Sequence, residues 1–344
     1  MSKKAKRVNV SNIVQMESEN GLATNKLTFT VTGSHVEHVF SNTIIRTMIS
    51  LVGAYAYEEQ DIEVVENTIH NPDYMARRVS NIPIVYKDYM YDPIENFAET
   101  CVQLEQDFYS QADQTLTDLE MIEFKNKKKI KQMNNIHMSV KAHNTSNDII
   151  NVSSNEKYTT FYKNGEIISD FYPKEITILY MQPGHDITLT AESSFNIPIY
   201  NNSFSSVSVA SHKYIDDHSY SISLSSLRQM PEKQIVIEAC NIIVLKLENL
   251  KNKIHEILRI KKLVPNIEYK EIISIPGENQ TMGEIFAKRA CKHDSANTIT
   301  FRVEHPDDTS IVLDYDVAGM TMSKITENII KELKDDYQAV ANAF

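Results

Sequence analysis

The feature that most constrains the fold is a long apolar pattern that follows Met230-Pro231. Val236, Cys240, Ile243, Leu247, Leu250, Ile254 and Ile257 recur at alternating steps of four and three. This spacing places all of them on one face of a helix, and Pro231 suits the first helical turn. The pattern predicts a helix running to about Leu263. A seam of this kind needs a cover, either the helix's own core or a second long helix. The stretch from about Ser323 offers such a helix, with Ile325, Ile329, Leu333, Tyr337, Val340 and Phe344 on a single face. The two are expected to pack through Ile243, Leu247, Leu250 and Ile254 on one side and Ile329, Leu333 and Tyr337 on the other.

A similar order of elements precedes each long helix. Leu27 to Thr32 alternates and is β-branched, which reads as a strand broken by Gly33. Ser34-His35-Val36-Glu37 matches a capping box. Val36, Phe40, Ile44, Met48, Leu51 and Tyr55 then predict a helix over about 34–56. Ile62 to Ile69 reads as a strand, Asn71-Pro72 as a turn, and Tyr74 to Ser80 as a short helix ending before Ile82-Pro83. In the C-terminal part, Tyr269 to Ile275 reads as a strand, and Thr281-Met282-Gly283-Glu284 as a second capping box that opens a helix to about Lys292. Ile299, Phe301 and Val303 alternate in one strand and Ile311, Leu313 and Tyr315 in the next, with His305-Pro306-Asp307-Asp308 as the hairpin loop. Residues 86–186 differ in character. They are rich in Tyr, Asn, Ile and Lys, carry short alternating runs at His137 to Ala142 and Ile176 to Tyr180, and reach a turn at Pro183-Gly184 before a strand from Ile187.

The expected architecture is α+β: an intramolecular pseudo-dimer of two β/α dimerisation modules, plus a β-rich inserted domain. Residues 1–85 with 187–263 form the larger module, 86–186 the insertion and 264–344 the smaller module. The length of 344 residues agrees with about two domains. Hydrophobic residues at 42% and charged residues at 24% describe a globular chain.

Composition excludes several function classes. The net charge of −11 is unsuited to a free-standing duplex-DNA binder, whose affinity rests on many phosphate contacts. Only 8 glycines disfavour phosphate-cradling loops. Cys101, Cys240 and Cys291 are too scattered for a cysteine zinc site and suggest reduced thiols. The basic start, Met1 to Arg7, lacks the apolar region of a signal peptide, and no apolar run is long enough to span a membrane. A soluble intracellular protein is expected. No H-E-x-x-H, G-x-S-x-G or Walker lysine loop is present. Pairs such as Glu58-Glu59 and Asp335-Asp336 are adjacent in sequence and read as solvated surface. His35 and His38 are read as an i,i+3 pair on one helix face with a surface or interface role. The basic run Lys125 to Lys131 reads as a solvated loop.

The order of elements, together with certain motifs, resembles the assembly-platform subunits of multisubunit RNA polymerase. These are the amino-terminal domain of the bacterial alpha subunit, the archaeal D and L subunits, and the third and eleventh subunits of eukaryotic polymerase II. Ser41-Asn42-Thr43-Ile44-Ile45-Arg46 is similar to the family's small-Asn-x-Leu-x-Arg helix. Tyr74 to Ile84, with Arg78, Ile82 and Pro83, is similar to its aromatic-Ile-x-x-Arg-Leu-Gly-x-Ile-Pro-Leu segment. Glu278-Asn279-Gln280-Thr281-Met282-Gly283 resembles the Glu-Asp-His-Thr-Leu-Gly opening of the smaller subunit, and Val303-Glu304-His305-Pro306 its Val-Pro-His-Pro. Both sets in one chain resemble the fused subunit of large nucleocytoplasmic DNA viruses. Ser80 stands in place of the family's Gly, Gln280 in place of its His, and the zinc-binding cysteine cluster of the eukaryotic larger subunit is missing.

The resemblance implies a noncatalytic platform on which the two largest polymerase subunits assemble, with small subunits beside them. It implies no cofactor, no membrane, and contact with nucleic acid only through the complex. A viral source would place the chain in the host cytoplasm, in viral factories, and in the virion. The implied contact residues are Asn42, Arg46, Arg78, Ile82, Pro83, Thr281, Gly283, His305 and Pro306. An Arg46 or Arg78 within an apolar helix face would need a partner, since an unpaired buried charge is costly. That partner is either a local Glu or a large-subunit group matched to the planar guanidinium. The alternative function is a nucleic-acid-binding accessory protein using Lys3, Lys4, Lys6, Arg7 and Lys125 to Lys131.

Overall fold

The computed structural model of the chain describes residues 7–17, 25–68, 71–85, 96–112, 136–172, 174–263, 272–292, 296–304, 310–317 and 322–344. Helices and antiparallel sheets are mixed, as an α+β chain requires. The centre is α4, Glu232–Leu263. Ile235, Val236, Ala239, Cys240, Ile242, Ile243, Leu247, Leu250 and Ile254 on it are fully buried. This stripe is wider than a two-helix seam because α4 is covered from more than one side. α6, Met322–Ala341, packs along it through Ile325, Ile329, Leu333, Tyr337 and Val340. α1, His38–Ser50, and α3, Phe97–Ala112, also pack on α4. Lys334 of α6 bonds Glu248 of α4 at 2.7 Å, a clamp on the rim of the seam.

The larger sheets have four, five and three strands. The first has the order β1-β2-β11-β10, from β1 (Asn9–Met16), β2 (Asn25–Thr32), β10 (Val207–Asp216) and β11 (Ser219–Ser226). The rows Leu27 beside Leu224 and Phe29 beside Ile222 are buried, while Thr28, Thr30, Ser221 and Ser223 form the other face. The second has the order β3-β9-β4-β6-β7, from β3 (Ala54–Asn67), β4 (Ile136–His143), β6 (Thr159–Lys163), β7 (Glu166–Ile168) and β9 (Asp186–Asn196). β5 (Ile150–Ser153) pairs with β8 (Thr177–Met181) nearby in sequence. The third has the order β12-β14-β13, from β12 (Ile272–Pro276), β13 (Ala296–Arg302) and β14 (Ser310–Val317). α2, Pro72–Ser80, packs on β3, and α5, Gln280–Ala290, packs on β13.

Several expectations need correction. The helix expected over 34–56 is shorter, because the Ser34 turn is held elsewhere. His35 N–H donates to Arg7 O at 3.1 Å and Val36 N–H to Gly33 O at 2.9 Å. Glu37 occupies the N-cap position with no capping bond from its side chain, so the first capping box does not form. The helix stops at Ser50, and Tyr55 belongs to β3. Between them Gly53 lies so close to β9 that a Cβ would stand 2.4 Å from Asn196 O. The true cap of α5 is Asn279, whose Oδ1 accepts from Met282 N–H at 3.2 Å, so Thr281 falls inside the first turn. The stretch read as mostly β contains the 16-residue helix α3. β1 precedes the strand read as the first. The basic run at 125–131 and the loop His305 to Asp308 lie outside the described residues.

Candidate functional site

α1 turns two unlike faces outward and inward. Val39, Phe40, Thr43, Ile44, Thr47 and Met48 are buried. Phe40 stacks on Tyr337 of α6 with ring centroids 4.4 Å apart, and the Tyr337 hydroxyl donates to Phe40 O at 3.4 Å. Asn42, Arg46, Ile49 and Ser50, at helical spacing, form the opposite strip. Arg46 and Ile49 are exposed, while Asn42 and Ser50 are half-buried. The Ser50 hydroxyl donates to Arg46 O at 2.7 Å and closes the last turn. The charge of Arg46 is thus hydrated, and the expected burial-driven need for a partner does not arise.

Arg78 is exposed on α2. Asn71 caps this helix by accepting from Asp73 N–H at 2.9 Å, and Pro72 opens it. Met75, Ala76 and Val79 bury its inner face, which leaves Tyr74, Arg77 and Arg78 outside. Arg78 Nη1 donates to the Tyr74 hydroxyl at 3.2 Å with its guanidinium carbon 5.9 Å from the ring centre. This contact fixes a flat donor group at the surface. Ile82 is buried and Pro83 half-buried, and the Pro83 carbonyl accepts from the Tyr172 hydroxyl at 3.0 Å. Both therefore serve the chain's own packing. Thr281 and Gly283 are also enclosed, and a Cβ on Gly283 would stand 2.8 Å from Phe301 Cδ2. The close approach at Gly283 is made by a side chain of its own sheet. His305 and Pro306 lie outside the described residues.

Two polar junctions were missed in the sequence. At the first, Lys246 of α4 is 5% exposed and bonds Glu105 of α3, with Glu278 at 3.7 Å. Asn279 Nδ2 donates to Glu105 Oε1 at 3.2 Å, and Lys253 Nζ bonds Glu278 Oε1 at 2.9 Å. Burial alone would pull the Lys246 proton off, but Glu105 and Glu278 outweigh it and hold the group above the ordinary lysine range. At the second, Arg289 Nη1 of α5 meets Asp336 Oδ2 of α6 at 2.8 Å and His35 Nδ1 at 2.7 Å. Lys292 pairs with Glu37 beside it. A cleft of about 380 Å³ lies there, lined by residues that include Phe40, Lys288, Arg289 and Glu332. His35 and His38 do not act as a pair: His35 serves this junction, while the His38 ring lies edge-on to His212 of β10 at 4.8 Å. The only hint in the sequence was a charged residue interrupting each apolar face, Lys246 on α4 and Arg289 on α5.

Among the described residues no group of three or more His, Cys, Asp or Glu side chains is arranged to hold a metal ion. No helix among them is long and apolar enough to cross a membrane. No protein-family model matches the chain. The chain is 24% identical over 261 residues to a protein of Acanthamoeba polyphaga mimivirus named "Putative DNA directed RNA polymerase subunit", and this covers 74% of the chain and 71% of the relative.

Proposed function

We propose that this chain is a noncatalytic assembly-platform subunit of a viral DNA-directed RNA polymerase, with third-subunit-like and eleventh-subunit-like modules fused into an intramolecular pseudo-dimer. The observation that carries the reading is the similarity, over 74% of the chain, to a protein named as a polymerase subunit. In this reading residues 1–85 with 187–263 and residues 264–344 are the two modules, with 86–186 inserted between them. α4 and α6 form their shared core. The strip of Asn42, Arg46 and Ile49 and the Tyr74–Arg78 surface dock one of the two largest subunits. The half beginning near residue 264 faces the other, and small polymerase subunits bind beside them. Nucleic acid is held by the partners, which suits a chain with a net charge of −11.

The test is purification of the tagged chain from its native source with identification of what accompanies it. Both largest polymerase subunits are expected, and the Arg46→Glu/Arg78→Glu variant should recover them about tenfold less well, equivalent to ~1.4 kcal/mol. Absence of large polymerase subunits from the wild-type sample overturns the reading. A steeply salt-dependent shift of duplex DNA by the isolated chain would support the nucleic-acid-binding alternative instead.

A further inference from the structure

The junction of His35, Arg289 and Asp336 is built so that one added proton upsets it. His35 Nδ1, Arg289 Nη1 and Asp336 Oδ2 form a triangle with sides of 2.7, 2.8 and 2.8 Å. The two hydrogens on a guanidinium nitrogen diverge by about 120°, whereas the corners of such a triangle are about 60°. Arg289 Nη1 therefore aims a hydrogen at only one of its two neighbours. The Asp336 carboxylate is the stronger acceptor, and Arg289 Nη2 donates separately to His35 O at 3.2 Å. Asp336 Oδ2 then accepts from His35 Nδ1–H as well, which fixes the neutral ring in its Nδ1–H tautomer. Two donors, Nδ1 and Nη1, are left side by side, held there by the carboxylate they share.

The charges around the ring are already balanced. α6 supplies Asp336 and Glu332, α5 supplies Lys288, Arg289 and Lys292, and the N-cap of α1 supplies Glu37. Arg7 is exposed and touches His35 only through its backbone carbonyl. His218, between β10 and β11, donates from Nδ1 to Val36 O at 3.2 Å. The Asp336 side chain is 2% exposed, so solvent brings it no further counter-ion, whereas the His35 side chain is 23% exposed and lines the cleft.

We infer that His35 is a proton-operated release for this junction. Histidine is the side chain whose charge changes near neutrality. A proton added to its ring turns the contact of Nδ1 with Nη1 into a contact of two cations over one enclosed carboxylate. The turn before α1 then parts from α5, and the N-terminal end of the helix that carries Asn42 and Arg46 is freed. The device is independent of the polymerase reading, because it is defined by the chain's own contacts.

Hydrogen–deuterium exchange on the full chain tests this at about pH 7.5 and about pH 5.5, with rates corrected for the intrinsic effect of pH. Amides of Val36 to Ser41 and of Ala287 to Lys292 are expected to lose protection about tenfold at the lower value, and those at the centre of α4 to change by less. His35→Asn keeps a donor near the Nδ1 position but takes up no proton, and should hold its protection at both values. His212→Gln and His218→Asn should leave the acid response in place. Nitrogen NMR of the histidine-labelled wild-type chain reads the tautomer directly, and Nδ1–H is expected for His35 at neutral pH. No loss of protection in the wild type, the same loss in His35→Asn, a response that disappears with His212 or His218 instead, or an Nε2–H tautomer overturns the proposal.

Discussion

Lys246 is a buried cation on which two buried carboxylates, Glu105 and Glu278, converge. Lys246→Ala would strand Glu105 in the interior without a cation, while Glu278 keeps Lys253, and an orphaned buried charge costs about 3–5 kcal/mol. Urea unfolding should register that loss, and Lys246→Met combined with Glu105→Gln and Glu278→Gln should lose less. The raised lysine gives stability that is fully present below its ordinary value of 10.5 and is lost only as pH rises through the folded value. It therefore contributes no pH dependence at neutral pH. His212 works in the opposite sense. Burial, then His38, lowers its affinity for a proton, so its contribution is complete above 6.5 and falls as pH drops below that value. Melting curves of His212→Gln should decline less than wild type on acidification. Gly283→Ala pushes a methyl toward the Phe301 ring, and overpacking of this kind costs about 1–3 kcal/mol, readable as a lower denaturation midpoint.

At the scale of elements, α4 and α6 were the most legible parts of the sequence. Their apolar positions recur at steps of three and four, and periodicity is the strongest signal a sequence carries. Tyr337→Ala should cost about 3–5 kcal/mol, since it empties the stack that joins α6 to Phe40 of α1, and thermal unfolding would measure it. Helix ends were less legible. Ser34 and Thr281 have the chemistry of caps, but tertiary bonds claimed the first segment, and Asn279, two residues before Thr281, caps the second. α3 carries Phe97, Cys101, Leu104 and Phe108 at helical spacing, a signal hidden among the β-forming residues around it. The break between α1 and β3 could not be read, because it depends on how closely Gly53 approaches Asn196. For the candidate site, the sequence read Arg46 and Arg78 as charges within an apolar helix face, whereas both are exposed. It could not tell that Ile82, Pro83, Thr281 and Gly283 are consumed internally, since burial is a property of the partner surface as much as of the residue.

At the scale of the whole molecule, exposed arginines on α1 and α2 predict that the Arg46→Glu/Arg78→Glu variant folds as stably as wild type while binding partners poorly. Calorimetry on the purified variant checks the first half of that statement, and a lowered melting temperature would assign the two arginines to the fold itself. The Lys246 junction also bears on how the molecule is made. Glu105 finds Lys246 only 141 residues later in the chain and Asn279 only 174 residues later. On the ribosome, the N-terminal part therefore waits with an uncompensated carboxylate at the place where α3 must dock. Completion of that docking is deferred until α4 and the start of α5 have been synthesised. A chain that ends before Lys246 thus lacks the cation and the amide that hold Glu105 of α3 in place.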